Sequence, residues 1–300
     1  MAFSSIFGKS SKPLRQTQEE KRQEENNVSQ ESHILIYSWT RHVIDIQVIC
    51  DVTNPLCYVM KKKFDRAMVE LEREKSTWMF HVTWEPLILG LVGEAAATGQ
   101  ELFQNPKTRC IIEEGEKEGI HFNFKYSSVR PRKEDTANTI KAFLLLQYTA
   151  MVDAGITKDG IIPGKKENEV AEVLMMNVFE NWSSLEEKTL LDVAEKYGFQ
   201  RENVRSFLCD ISNIEKVKSR VLYWYNRSKC AGIHGPNRVP FYQINDCLVP
   251  PDFKLGFQLN DLEGYKTLIK DAVSKTTASY TGRLPRERCW VINSAAGDNP

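Results

Sequence analysis

The stretch Asp51-Val52-Thr53-Asn54-Pro55-Leu56-Cys57-Tyr58 decides how this chain folds. Before it, Val43 to Val52 is rich in β-branched residues, and Ile44, Ile46 and Val48 alternate with the period of a strand. Within it, Asn54-Pro55 sets a good N-cap ahead of proline at the first helical position, where the missing N–H costs nothing. After it, Leu56, Met60, Phe64, Ala67, Met68 and Leu71 recur three or four residues apart over 55–74, one apolar stripe on a charged helix. A strand therefore ends near Asp51, and a helix that packs on a sheet begins at Pro55.

Working outward, His33 to Trp39 reads as a further strand, and Thr77 to Trp84 as another that Pro86 closes. Residues 8–32 are dominated by Ser, Lys, Gln, Glu and Asn and are expected to form a disordered leader. Beyond Glu94 the pattern turns helical: Thr136 to Ala154, Glu167 to Asn181, Leu185 to Tyr197, Glu202 to Cys209 and Ile214 to Cys230, with Gly155, Pro163-Gly164 and Gly198 as stops. Val239 to Asn245 then reads as a strand, and Asp261 to Ser274 as a helix with Leu262, Tyr265, Leu268, Ile269 and Ala272 on one face. From Lys275 no periodicity is sustained, although Trp290-Val291-Ile292 is expected to pack locally. The expected architecture is α/β, with a large all-helical insertion between two halves of one sheet. The boundaries are 1–32 for the leader, 33–90 and 231–275 for the sheet domain, 91–230 for the insertion and 276–300 for the tail.

Lys plus Arg and Asp plus Glu number 40 each, so the 300-residue chain has no global pull toward nucleic acid or an anionic membrane. Lys61, Lys62 and Lys63 read as a solvated helix face. No run approaches the roughly 18 apolar residues of a membrane span. Seven cysteines, an odd number and widely spread, fit a reducing compartment better than a disulfide framework. A cytoplasmic location is expected. Met1 to Gln18 lacks acidic residues and carries Lys9, Lys12 and Arg15, which keeps a mitochondrial presequence as the alternative. No cysteine or histidine pair has metal-ligand spacing, no Gly-rich phosphate loop follows a strand, and no Gly-x-Ser-x-Gly elbow exists. His81 reads as a packed strand residue and His234 as a turn residue.

The run from Asp51 to Tyr58 resembles the Asp-x-x-Cys-Pro-Trp-Cys-Tyr segment of the DsbA-like thioredoxin superfamily. The nearest branch is the FrnE type, related to hydroxychromene-carboxylate isomerases and kappa-class glutathione transferases. Trp84-Glu85-Pro86 resembles that branch's Trp-x-Pro-Phe, and Ala137-Asn138-Thr139-Ile140-Lys141-Ala142 its Asn-Thr-x-x-Ala helix start. Leu174 to Phe179 and Leu190 to Leu208 follow its late helices. Gly232-Ile233, Val239-Pro240-Phe241-Tyr242 and Gly256-Phe257-Gln258 resemble its Gly-Ile, Val-Pro-Phe-Phe and Gly-Ala-Gln markers in order, so the likeness covers about residues 43–273. It implies a thioredoxin-like fold, a thiol-disulfide oxidoreductase or glutathione-dependent transferase or isomerase ancestry, and a homodimer as one assembly.

The resemblance makes position 54 the attacking cysteine, or the serine of the isomerases and transferases, but Asn54 stands there. An amide cannot attack a disulfide, so dithiol exchange cannot run through this motif unaided. Asn54 has two readings: a helix cap kept after activity was lost, or a hydrogen-bond donor to the sulfur of bound glutathione or a small thiol conjugate. Cys57 matches the resolving cysteine. It falls in the first helical turn, where unpaired amides and the dipole favour a thiolate, and it reads either as a functional thiol or as a small buried hydrophobe. Cys50 is a remote partner for it, because a strand end and the helix it feeds rarely meet bridge geometry. Val239-Pro240 resembles the family's cis-proline loop, which together with Pro55 and Trp84 would frame the ligand. Pro236, Asn237 and Arg238 intervene where the family runs from glycine straight into Val-Pro. The expectation is a glutathione or small-thiol protein, without metal, or else a degenerate scaffold that keeps the groove.

Overall fold

The computed structural model describes residues 42–93, 106–123, 133–153, 155–157, 160–162, 165–181, 183–233, 239–249 and 261–276. All of them lie within one compact unit that begins at His42. The first strand, β1 (His42–Cys50), leads through a four-residue turn into helix α1 (Pro55–Glu74), which returns the chain to β2 (Trp78–Pro86). β1 and β2 pair in parallel from His42 opposite Trp78 to Cys50 opposite Pro86, as a helical crossover requires.

A 3-10 turn over Leu89–Val92 follows, then α2 (Pro106–Lys117), α3 (Lys133–Asp153), and a hairpin of β3 (Gly155–Thr157) with β4 (Gly160–Ile162). Next come α4 (Lys166–Phe179), α5 (Glu187–Lys196), α6 (Arg201–Cys209) and α7 (Ile211–Cys230). The chain then returns to the sheet as β5 (Phe241–Ile244) and β6 (Cys247–Val249), and ends its described part in α8 (Leu262–Thr276). The main sheet runs β2-β1-β5-β6, with β5 antiparallel to β1.

Alternation along β1 sends Ile44, Ile46, Val48 and Cys50 to one face of the sheet, which α1 and α8 cover. Phe64 of α1 stacks on Tyr242 of β5 at 4.3 Å between ring centroids and meets Tyr265 of α8 edge-on at 5.6 Å. Each such fully buried side chain contributes about 2–3 kcal/mol through area removed from water. α7 covers the opposite face with Val217, Val221, Trp224 and Ser228, all buried at three-to-four spacing. Asp210 caps α7 by accepting the Ser212 N–H at 2.8 Å.

Helices expected from periodicity all form, with ends shifted by a few residues, whereas three features differ from the sequence reading. α2 escaped it because its only strongly apolar residues are Cys110, Ile111 and Ile112 and because Gly115 interrupts it. That glycine is a packing requirement: a Cβ there would come within 2.3 Å of the Phe122 ring and 3.2 Å of Val59. Gly155 and the following segment hold a hairpin rather than a bare helix stop; strands of three residues are too short to show alternation.

The third difference is a correction. Lys61 and Lys63 are buried, not a solvated face, because each is paired. Lys61 binds Asp65 and, at 3.2 Å, Glu172, and its ammonium sits 5.8 Å over the Trp84 ring. Lys63 pairs with Glu114 of α2, and Lys62 with Glu172 of α4. The run therefore ties α1 to its neighbours. The predicted strand His33 to Trp39, the leader, His234, Gly256-Phe257-Gln258 and Trp290-Val291-Ile292 lie outside the described residues.

Candidate functional site

The end of the sheet where β1 hands over to α1 gathers most of the residues singled out above. Asp51 is buried and organises the turn. Its Oδ1 accepts the Thr53 N–H at 2.9 Å and the Thr53 hydroxyl at 2.6 Å, its Oδ2 accepts the Leu89 N–H at 2.9 Å, and its carbonyl accepts the Asn54 N–H at 2.9 Å. Burial pushes its carboxyl above the ordinary carboxylate range, and the Thr53 and Leu89 donors oppose that push. Only the motif pointed to Asp51 in the sequence. Its bond to the 3-10 turn after β2, 38 residues away, carries no local signal.

Asn54 adopts extended backbone and its Oδ1 accepts the Leu56 N–H at 2.9 Å, an N-cap in full geometry. The capping bond uses the carbonyl end of the amide, which leaves the Nδ2 end as a donor at a half-buried position. Pro55 follows as the first helical residue, as the sequence predicts. Cys57 lies one turn in, 1 % exposed, its N–H donating to the Asn54 carbonyl at 3.0 Å.

Val239 and Pro240 immediately precede β5. Because Phe241 sits opposite Ile49 in an antiparallel pairing, the chain enters β5 at the end of β1 from which α1 departs. Asn54 and Val239-Pro240 thus share one end of the sheet, and the Val239–Pro240 peptide is cis. Both residues are buried, Val239 completely. Trp84, at the same end of β2, is 4 % exposed. Its polar atoms are engaged by α4, the backbone N–H donating to Glu167 at 2.9 Å and the indole N–H to Asn168 at 3.2 Å. Half-buried Thr53 and Asn54 are therefore the polar side chains that this sheet end offers a ligand among the described residues.

Sequence reasoning missed the roles of two groups around this end. Glu167 is buried and closes the free edge of β2 through the Trp84 N–H; burial raises its pKa well above the ordinary value, with Glu85 and Asp45 adding to it. Tyr58 donates to Glu180 at 2.6 Å and stacks on Phe179 at 5.8 Å, fastening α1 to α4. Away from this end, His81, read from the sequence as a packed strand residue, sits opposite Asp45, whose carboxylate is 3.0 Å from its Nδ1. Among the described residues no three His, Cys, Asp or Glu side chains converge as a metal site, and no helix is long and apolar enough to cross a membrane.

No protein-family model and no curated protein matches the sequence. Solved structures do match by shape. The cytosolic disulfide reductase DsbM from Pseudomonas aeruginosa superposes with a TM-score of 0.50 at 9% identity, covering 77% of this chain and 99% of its own. The same reductase with GSH gives a TM-score of 0.50 at 10% identity, with the same coverage. A 2-hydroxychromene-2-carboxylate isomerase gives 0.43 at 12% identity, covering 69% of this chain and 87% of that one. The sheet order, the β1–α1 handover and the helices between β2 and β5 are those of a thioredoxin-like α/β fold, shared with the DsbM reductase.

Proposed function

We propose that this protein binds glutathione or a small thiol conjugate at the start of α1 and does not carry out two-cysteine exchange there. The observation that carries the reading is the amide of Asn54: its oxygen caps the helix, so its Nδ2 is the group left to meet a ligand sulfur. A sulfur seated at that point also lies at the positive end of α1, where unpaired amides favour a thiolate. The Val239 backbone beside the cis-proline is the group that would pair with an extended ligand backbone. Pro55 and Trp84 would wall the seat, and Cys57 lies beneath it. A structure of DsbM, which shares the fold, was determined with GSH, which supports glutathione as the first ligand to try.

The test is thermal. Millimolar reduced glutathione should raise the melting temperature, because a ligand that binds only the folded state stabilises it by mass action, and Asn54→Ala should shrink that rise. The purified protein should also fail to reduce insulin disulfides. No thermal response would remove the ligand reading, and reduction that vanishes in Cys57→Ser would overturn the absence of exchange.

A second reading is favoured by the complete burial of Val239 and the 1 % exposure of Cys57: a catalytically degenerate scaffold module that keeps the groove without using it for glutathione. It predicts no response to glutathione.

A further inference from the structure

We propose that Cys50 and Cys57 form a peroxide-sensitive dithiol, in which a hydroperoxide closes a disulfide between them beneath the start of α1. The inference does not depend on glutathione binding, since neither thiol is the group assigned to that ligand.

The register and the helix period bring the two sulfurs together. Val48 lies opposite Tyr242, so both side chains point to the sheet face covered by α1, where Phe64 stacks on Tyr242. Cys50, two residues beyond Val48, returns to that face. Cys57, seven residues before Phe64, is two helical turns away on the same side of α1. Because α1 starts at the Cys50 end of β1, those two steps converge under the helix start. Both cysteines are free, with 0 % and 1 % exposure. Burial pushes the Cys50 thiol well above its ordinary value, and the Cys57 thiol beside it, acting as a hydrogen-bond partner, pushes the same way. Tyr242 feels the same neighbour: burial raises its hydroxyl most, then Tyr265, then Cys57.

The chemistry balances without a further reactant. The Cys57 sulfur, at the end of α1 that favours negative charge, attacks the peroxide; an S–O bond forms, the O–O bond breaks, and an alcohol or water leaves, giving a sulfenic acid. The Cys50 sulfur then attacks the Cys57 sulfur. An S–S bond forms, the S–O bond breaks, and hydroxide departs as water with the proton of Cys50. Two thiols have given two electrons to one peroxide. Because Cys57 is buried, it meets the oxidant only when the helix start opens locally, so closure should be slower than oxidation of the exposed Cys209 and Cys230.

The whole chain can be tested without a variant. No lysine or arginine lies between the two cysteines, so both report in the tryptic peptide from His42 to Lys61. The folded protein is treated with hydrogen peroxide, unfolded in an alkylating agent and digested. The expected product is that peptide with neither thiol alkylated and two hydrogens lighter than its reduced form, reverting on reduction. Alkylation of both thiols under conditions that fully modify Cys209 and Cys230 would overturn the proposal, as would a bridge to another cysteine or irreversible oxidation of Cys57 with Cys50 left free. In Cys50→Ser, a 1,3-dione should trap a sulfenic acid on Cys57. In Cys57→Ser it should trap none on Cys50, and trapping there would reverse the assigned order and overturn the mechanism.

Discussion

The two faces of the main sheet are made by alternate residues of the same strands and meet the cost of burial in opposite ways. Toward α1 and α8 the strands present Ile44, Ile46, Val48, Tyr242 and Ile244, and the covering helices answer with Phe64, Leu71 and Tyr265. Toward α7 they present Asp45, Gln47, Thr83, Glu85 and Gln243 beside the apolar Ile49 and Phe241, and the cover must answer with partners as well as surface. Arg220 binds Glu85 through Nε and Nη2 at 2.6 and 2.7 Å, and the Trp224 indole donates to the same carboxylate at 2.9 Å. Arg227 donates to Gln243 at 3.0 Å, and Gln243 to Gln47 at 3.0 Å. A polar group taken from water costs several kcal/mol unless it is bonded, so this face specifies where α7 sits, while the apolar face specifies only that something covers it.

The comparison breaks most sharply at Glu85. Glu85→Ala strands a largely buried Arg220 and the Trp224 N–H, and should cost about 3 kcal/mol in urea unfolding, with Glu85→Ala/Arg220→Met recovering most of it. A loss under about 1 kcal/mol would mean that the apolar residues of α7 place it unaided. The site end sharpens the contrast, because there one amide does a local job. Asn54→Ala should cost about 1 kcal/mol, and Asn54→Asp should restore it by keeping an acceptor for the Leu56 N–H.

The smallest effect is a slope. Glu167 has a folded pKa raised, chiefly by burial, above its ordinary value of 4.5. The folded state therefore holds a proton that the unfolded state releases, and stability falls as pH rises from about 4.5 through the raised value. Glu167→Gln keeps the acceptor for the Trp84 N–H and cannot titrate. Its stability should match wild type in acid and exceed it increasingly with pH; parallel curves would assign the proton elsewhere.

What the sequence revealed follows the same division. The strand ending at Cys50, the cap at Asn54, the apolar stripe of α1 and the amphipathic helices announce themselves through period and capping chemistry, which are local. Asn54 as cap was readable because the partner, Leu56, is two residues away. The burial of Lys61 and Lys63 was not, because their partners Glu172 and Glu114 come from other helices and no period encodes them. From chain geometry alone a disulfide between Cys50 and Cys57 is remote, and both thiols are free, but their contact is not local information either. It needed the register with β5 to show that both side chains turn to one face. The residues placed at the candidate site came from resemblance, whereas the hydrogen bonds that consume the polar atoms of Trp84 came only with the fold.

The carboxylate of Asp51 makes the turn ahead of α1 self-supporting. It holds the backbone at Thr53 and at Leu89 with its own oxygens, so these bonds do not rely on whichever side chain occupies position 54. The socket is built independently of the tool fitted into it. Replacing the side chain at position 54 therefore leaves the hydrogen bonds that shape the turn in place.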